Sequence, residues 1–310
     1  MIENANRRKP CVALVLAAMW APGVVQAEAI DVNGYYAAPA RDVALLHSLE
    51  VERFSGEDGP KLARTIERVL GSIADRRGGP YFTIVAGQSA EGGVSGHVTT
   101  GVDISRYTST VKRCPDDATS CTKDEKVEVK IDCKRRVITL DADIRVARVV
   151  DGRVIYSDAI PQRQEASWCV GQSSPTEPES VIRAMIEATA ASFGEQVAPV
   201  ERRQRVRVRE DRKGLTKPEA ARFKLALSQT KADVRSACAT WAEQDRTIPG
   251  HPSVVFNLAL CAEAAGDLDG AGALYAQLPD QSDVRSGSDR VRSRIAANED
   301  EEERARRGRR

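Results

Sequence analysis

Alternation and helical spacing divide most of the chain into short elements. Over residues 43–54 β-forming side chains dominate, and Leu45, His47, Leu49 and Val51 fall on every second position, predicting a strand with His47 on its apolar face. Ser55-Gly56-Glu57-Asp58-Gly59 interrupts it. Pro60 suits a first helical position, and Leu62, Ile66, Val69, Leu70 and Ile73 then recur at helical spacing. Gly78-Gly79-Pro80 ends that helix, and residues 81–85 read as the next strand. A series of β-segments follows: 94–111, then 127–131 with Val127, Val129 and Ile131 on one face, then 137–149. In the last of these Ile138, Leu140, Ala142, Ile144 and Val146 alternate with Thr139, Asp141, Asp143 and Arg145, so one face is buried and the other wet. Asp151-Gly152 signals a two-residue turn into a returning strand over 153–160. Simple pairing across that turn sets Cys133 opposite Val170, so a bridge from Cys133 to Cys169 requires a bulge. Thr176 and Glu179 form a capping-box pattern ahead of a helix carrying Val181, Ile182, Met185, Ile186 and Phe193, and residues 205–209 read as a last strand. The fold class expected for residues 28–215 is α+β, with helices packed on a mixed or antiparallel sheet.

The C-terminal pattern is different. Residues 218–245 and 252–278 are Ala-rich helical pairs, and the second contains Asn257, Leu258, Gly266, Ala271 and Tyr275 at spacings that resemble a tetratricopeptide repeat. Stepping back 34 residues from Ala271 and Tyr275 lands on Ala237 and Trp241. The first copy has Ala232-Asp233 where the second has its glycine turn, so it is degenerate. An all-α, repeat-like module over 216–279 is expected, with a concave face suited to a peptide or protein partner. Residues 280–310 hold an acidic run and then Arg304, Arg306, Arg307, Arg309 and Arg310, with little apolar surface, and read as a solvated, disordered tail that turns helical near Val291.

Residues 1–27 begin with Arg7, Arg8 and Lys9, pass through an apolar run and reach Val25-Gln26-Ala27, the order that defines a secretory signal peptide. The run is short for a membrane span, and Cys11 precedes it, so no lipid-accepting cysteine follows. Six cysteines remain, an even number that reads as disulfides in an exported chain. Cys114 and Cys121 flank a turn-rich stretch, Cys133 and Cys169 flank the hairpin at Asp151-Gly152, and Cys238 and Cys261 lie in consecutive helices, which favours those three pairs.

The chain has 310 residues with 46 Lys and Arg against 45 Asp and Glu, so there is no overall basic footprint for a nucleic acid. Three scattered histidines, His47, His97 and His251, do not make a metal cluster, and no CxxC spacing suggests zinc. The common hydrolase, metalloprotease and nucleotide signatures are missing, so neither a cofactor nor a metal is expected. Gly87-Gln88-Ser89-Ala90-Glu91-Gly92 looks superficially like a nucleophile elbow, but its glycine falls one position late, and it reads as a loop. Asp141 and Asp143 sit two apart on one strand, yet Arg145 shares that wet face and an ordinary solvated surface is the better reading. No residue is assigned as catalytic. The sharpest feature is Arg203, Arg205, Arg207 and Arg209, on one face of the last strand within a locally basic stretch; such a stripe suits an anionic glycan, a lipid head group or an acidic partner. A solvated face or a charge-defended edge strand is its plain alternative.

The order of strand, amphipathic helix and strand, followed by Gly93-Val94-Ser95-Gly96-His97-Val98 opening a β-meander, resembles the periplasmic domain of the curli-secretion CsgG and TolB N-terminal group over about residues 40–210. The resemblance implies a periplasmic location, with peripheral association at the outer membrane, and a part in secretion or envelope assembly. The expectation is a non-enzymatic binding or scaffold protein of the Gram-negative envelope with an envelope protein partner and no nucleic acid; self-association into a homo-oligomer is open. Two rivals are an oligomeric outer-membrane pore and a periplasmic enzyme. Against the pore, Lys112, Arg113, Asp116, Asp117, Lys123, Asp124, Glu125 and Lys126 crowd the connection between the strands that would insert.

Overall fold

The computed structural model describes residues 28–87, 89–115 and 120–309; residues 1–27, which the sequence reads as a signal peptide, and Gln88 of the glycine loop lie outside the described residues. The first element is a strand, β1 (Ala29–Tyr36), followed by a helical turn, α1 (Arg41–Ala44), strand β2 (Ser48–Val51), helix α2 (Gly59–Ser72) and the short strand β3 (Thr83–Ile84). Strands β4 (Gly92–Arg113), β5 (Val127–Arg148) and β6 (Val154–Cys169) form an antiparallel meander, and helix α3 (Pro178–Val197) and strand β7 (Val200–Arg207) complete the first part. One five-stranded sheet has the order β3-β2-β4-β5-β6, with β2 parallel to both neighbours; β1 and β7 make a separate antiparallel pair. This is the expected α+β class with a mixed sheet and packed helices.

Even-numbered side chains of β5, from Ile138 to Val146, are buried against α2 and α3 together with Leu49, Phe54, Leu62, Ile66, Leu70 and Phe193. Gly194 lets those helices close: a Cβ there would stand 2.9 Å from Val69 Cγ1. A second core gathers Ile30 and Val32 of β1, Val208, and Phe223, Trp241, Phe256, Leu260 and Tyr275 of the helices α4 (Lys217–Gln229), α5 (Val234–Thr247), α6 (Pro252–Ala265) and α7 (Leu268–Tyr275).

Several expectations change. Residues 43–54 are not one strand: a helical turn precedes β2, Leu46 and Leu49 face the core, and His47 is half-exposed beside Glu91 rather than on an apolar face. β1 carries no alternation strong enough to stand out by itself, and its partner β7 is remote in sequence. The strands expected at 127–131 and 137–149 are one continuous 22-residue strand. The turn after β5 is longer than two residues, with Arg148 N–H donating to Arg153 O at 2.9 Å, and a bulge at Val146/Ala147 then brings Cys133 directly opposite Cys169. Thr176 does not cap α3, which starts two residues later with Glu177 at its N-cap position.

The largest correction is the tail. Residues Ser282–Arg307 form a single 26-residue helix, α8. Val284 and Val291 sink into the second core, and Glu263, fully buried, receives two hydrogen bonds of 2.8 Å from Arg290 and one of 3.0 Å from Tyr275 Oη. Burial next to the Glu263 carboxylate pushes the Tyr275 phenol well above its ordinary range. Farther along, Arg41 Nε reaches Asp300 at 2.9 Å, and Arg304 lies 4.1 Å over the Tyr81 ring while donating to the carbonyls of Ala44, Leu46 and Tyr81. Charge that reads as solvated in sequence thus clamps the helix across both cores.

Candidate functional site

The six cysteines pair as Cys114–Cys121, Cys133–Cys169 and Cys238–Cys261, each at bonding distance, as an oxidising compartment permits. Among the described residues no helix is long and apolar enough to cross a membrane, and no group of three or more His, Cys, Asp or Glu side chains is placed to hold a metal ion.

The arginine stripe is largely engaged within the chain. Arg203 pairs with Asp31 at 2.6 Å and holds its carboxyl below the usual carboxylate range; Arg207 pairs with Glu210 at 3.0 Å. Arg209 falls beyond β7, is nearly buried, pairs with Asp283 at 2.8 Å and stacks 4.5 Å from the Phe256 ring. Arg205 is exposed, opposite Asp31 in the β1–β7 register. Four guanidinium groups read from the sequence as one anion-binding row are therefore three internal pairs and one surface side chain.

The repeat residues hold the C-terminal core. Ala237, Trp241, Asn257, Ala271 and Tyr275 are buried, Leu258 packs at the margin, and Gly266 ends α6 with φ of 84°, the left-handed conformation that the turn requires. The Asn257 amide imitates a strand partner: its Oδ1 accepts from Arg209 N–H at 2.8 Å and its Nδ2 donates to Arg209 O at 3.0 Å. β1 and α8 pack against α6, so this chain's own elements cover part of the surface expected to face a peptide.

A Ser–His contact exists that the sequence did not suggest. Ser55 Oγ lies 2.8 Å from His97 Nδ1, and His97 Nε2 lies 3.1 Å from Thr99 Oγ1. Asp143 is directly across from His97 on β5, but among the described residues His97 makes no hydrogen bond to a carboxylate. All three side chains are on an open sheet surface, so the arrangement lacks the oriented base and enclosed oxyanion site that an activated nucleophile needs. Asp141 faces Thr99 and Pro161 on the same surface. A cavity of about 190 Å³ beside Tyr81 and Arg304 is bounded by the α8 clamp; burial pushes the Tyr81 phenol up to about 12, and its hydroxyl donates to Ala44 O at 2.8 Å.

The feature that stands apart from this packing is the β4–β5 hairpin. Buried side chains stop at Val98 on β4 and, apart from Arg136 and Cys133, at Ile138 on β5, whereas the strands run on to Arg113 and Val127. About ten further residues per strand extend the ribbon by roughly 35 Å at about 3.4 Å per residue. β6 accompanies it only as far as Cys169, opposite Cys133, and the Cys114–Cys121 bond closes the far end. Arg136 is buried at the root, 5.9 Å from the Trp168 ring and donating to Thr176 O, so it braces the ribbon where the core ends.

Along β5 the two faces of the hairpin exchange character. In the body, even positions of β5 are apolar and buried while odd positions are wet. In the arm, β5 has Glu128, Lys130, Asp132 and Lys134 at even positions and Val127, Val129 and Ile131 at odd ones, with the Cys133–Cys169 bond at their base; β4 is mixed, with Val102, Ile104, Arg106, Thr108 and Lys112 on the even face and Asp103, Tyr107, Val111 and Arg113 on the odd face. Tyr107, Val127 and Val129 are 43%, 47% and 37% exposed, so this apolar side has no cover from the chain itself. The alternation of Val127, Val129 and Ile131 was visible in the sequence; that it points away from the core side was not.

No protein-family model and no curated protein matches the chain.

Proposed function

We propose that the chain is an exported, non-enzymatic binding component of the Gram-negative cell envelope that engages a protein partner through the arm of β4 and β5. The observation that carries this reading is the switch of β5's apolar positions from the core side to the opposite face in the arm, where Val127 and Val129 stand exposed beside Tyr107 of β4. Aromatic and β-branched residues on a rigid ribbon suit a protein surface, because little side-chain entropy is lost on docking. The resemblance to the CsgG and TolB N-terminal group supports the compartment, and the three cysteine pairs agree with it. A photo-crosslinking residue placed at Val129 in the host envelope should give a discrete adduct, and one at Lys130, on the opposite face, should not. Equal adducts from the two positions, or none from Val129, would refute the reading.

A second reading has an observation in its favour. Each arm strand supplies about ten residues, close to the length of a membrane-spanning β-strand, and β5 alternates apolar and polar side chains from Val127 to Asp132. An oligomeric pore built from such hairpins would face Tyr107, Val111, Val127, Val129 and Ile131 to lipid, with Arg113 at the rim. Flotation of the purified protein with liposomes, retained in high salt and carbonate, would favour the pore over the scaffold.

A further inference from the structure

The two free edges of the hairpin sheet differ in a way that backbone parity makes explicit. On β4, Gly96 O accepts from Ser55 N–H at 3.0 Å and Val98 N–H donates to Ser55 O at 3.0 Å, so even-numbered positions direct their backbone groups away from β5. On β5 the even positions turn toward β6, as the 2.9 Å bond from Val170 N–H to Asp132 O shows. The outward positions of β6 are therefore odd-numbered, and three of them are withheld from any added strand. Ala159 N–H is taken by Asp158 Oδ1 at 2.9 Å, Pro161 has no N–H, and Cys169 N–H is taken by Gln172 Oε1 at 2.8 Å. This is how natural sheets blunt an edge.

β4 has no such protection. Its outward positions from Val102 to Lys112 include no proline, and among the described residues no group of the chain bonds to their outward N–H or C=O. The segment is exposed, extended by its pairing with β5, and long enough to template another strand.

We propose that this edge is closed by the same edge of a second copy, the two β4 strands pairing antiparallel about a twofold axis at Thr108. Because all outward positions share one parity, the edge is complementary to itself in any register centred on an outward residue. Charge selects among these registers. Centring on Thr108 sets Asp103, the sole acidic side chain between Thr100 and Arg113, opposite Arg113 on one face, twice by symmetry, and lays the Lys112 stem beside exposed Ile104 on the other. Centring on Arg106 would oppose two guanidinium groups. A copy's β4 is already held extended, so it avoids the backbone ordering that a free peptide would incur. The blunted β6 edge disfavours the head-to-tail alternative, in which β4 of one copy meets β6 of the next. The dimer uses the edge of the arm, not its apolar face, so it stands or falls independently of the proposed partner.

Sedimentation equilibrium of the purified protein up to about 100 μM tests this. The expected result is a dimer, weakened about tenfold or more by Thr108→Pro, with unchanged circular dichroism because the lost N–H lies outside the β4–β5 ladder. Asp103→Lys should weaken the dimer as well, and adding Arg113→Asp should restore it. A monomer at the highest concentration would overturn the proposal. So would a dimer indifferent to Thr108→Pro, or a charge swap that fails to rescue.

Discussion

Replacing Arg304 by methionine tests whether the charged C-terminal segment is a structural clamp. Methionine keeps an unbranched apolar stem over Tyr81 but removes the charge and every donor. Lost with them are hydrogen bonds to three backbone carbonyls, those of Ala44, Leu46 and Tyr81, and stacking 4.1 Å from the Tyr81 ring and 5.5 Å from that of Phe82. A charged hydrogen bond contributes about 1.5–3 kcal/mol net and a partly desolvated cation–π contact about 1–2 kcal/mol. These do not add, because one side chain makes them all and the neighbouring cavity admits water to the freed carbonyls; about 2–4 kcal/mol is the expected loss. For a chain of this length that corresponds to a fall in Tm of roughly 3–7 °C if unfolding is concerted. Hydrogen exchange locates the effect: amides over 297–307 should lose protection first, while those of β5 should not. If protection in that segment and Tm are both unchanged, the clamp is not holding the helix and the account of α8 is wrong.

Three further outcomes follow from the packing. Asn257→Ala leaves the N–H and C=O of Arg209 without their partner and should cost about 2–3 kcal/mol in urea unfolding, with faster exchange around residues 207–211. Serine at both Cys133 and Cys169 should lower stability by about 2–4 kcal/mol, whereas serine at Cys114 and Cys121 should loosen only the arm's far end, a difference that calorimetry resolves. The carboxyls of Asp283, Asp31 and Asp58 titrate below their ordinary value: Arg209 hydrogen-bonds the first and Arg203 the second, and for Asp58 hydrogen bonds from Lys61 and Thr100 outweigh the opposing effect of burial. The unfolded chain therefore binds more protons near pH 4, so the stability these groups supply is complete above that pH and is lost as pH falls through their folded values; Tm measured from pH 6 to 3 should fall, and less steeply in Asp283→Asn.

Local pattern carried much of this architecture. The period of 3.6 in α2 and in the helices from Lys217 to Tyr275, and the period of two in β5, are properties of a few consecutive residues, so they were legible without partners. The cysteine pairs were legible for a similar reason, since turn signals between them limit which can meet. What the sequence by itself could not determine are choices that depend on distant groups. β1 becomes a strand because β7, some 170 residues away, supplies its ladder. α8 has few apolar positions and holds because Glu263, Arg41 and the carbonyls near Tyr81 give its arginines and Asp300 a place in the packing. The arginine stripe lost its meaning as a row because Asp31, Glu210 and Asp283 came to meet it. Alternation alone shows that a strand has two unlike faces; only the end of the core along β4 and β5 decides which of them is left for another molecule.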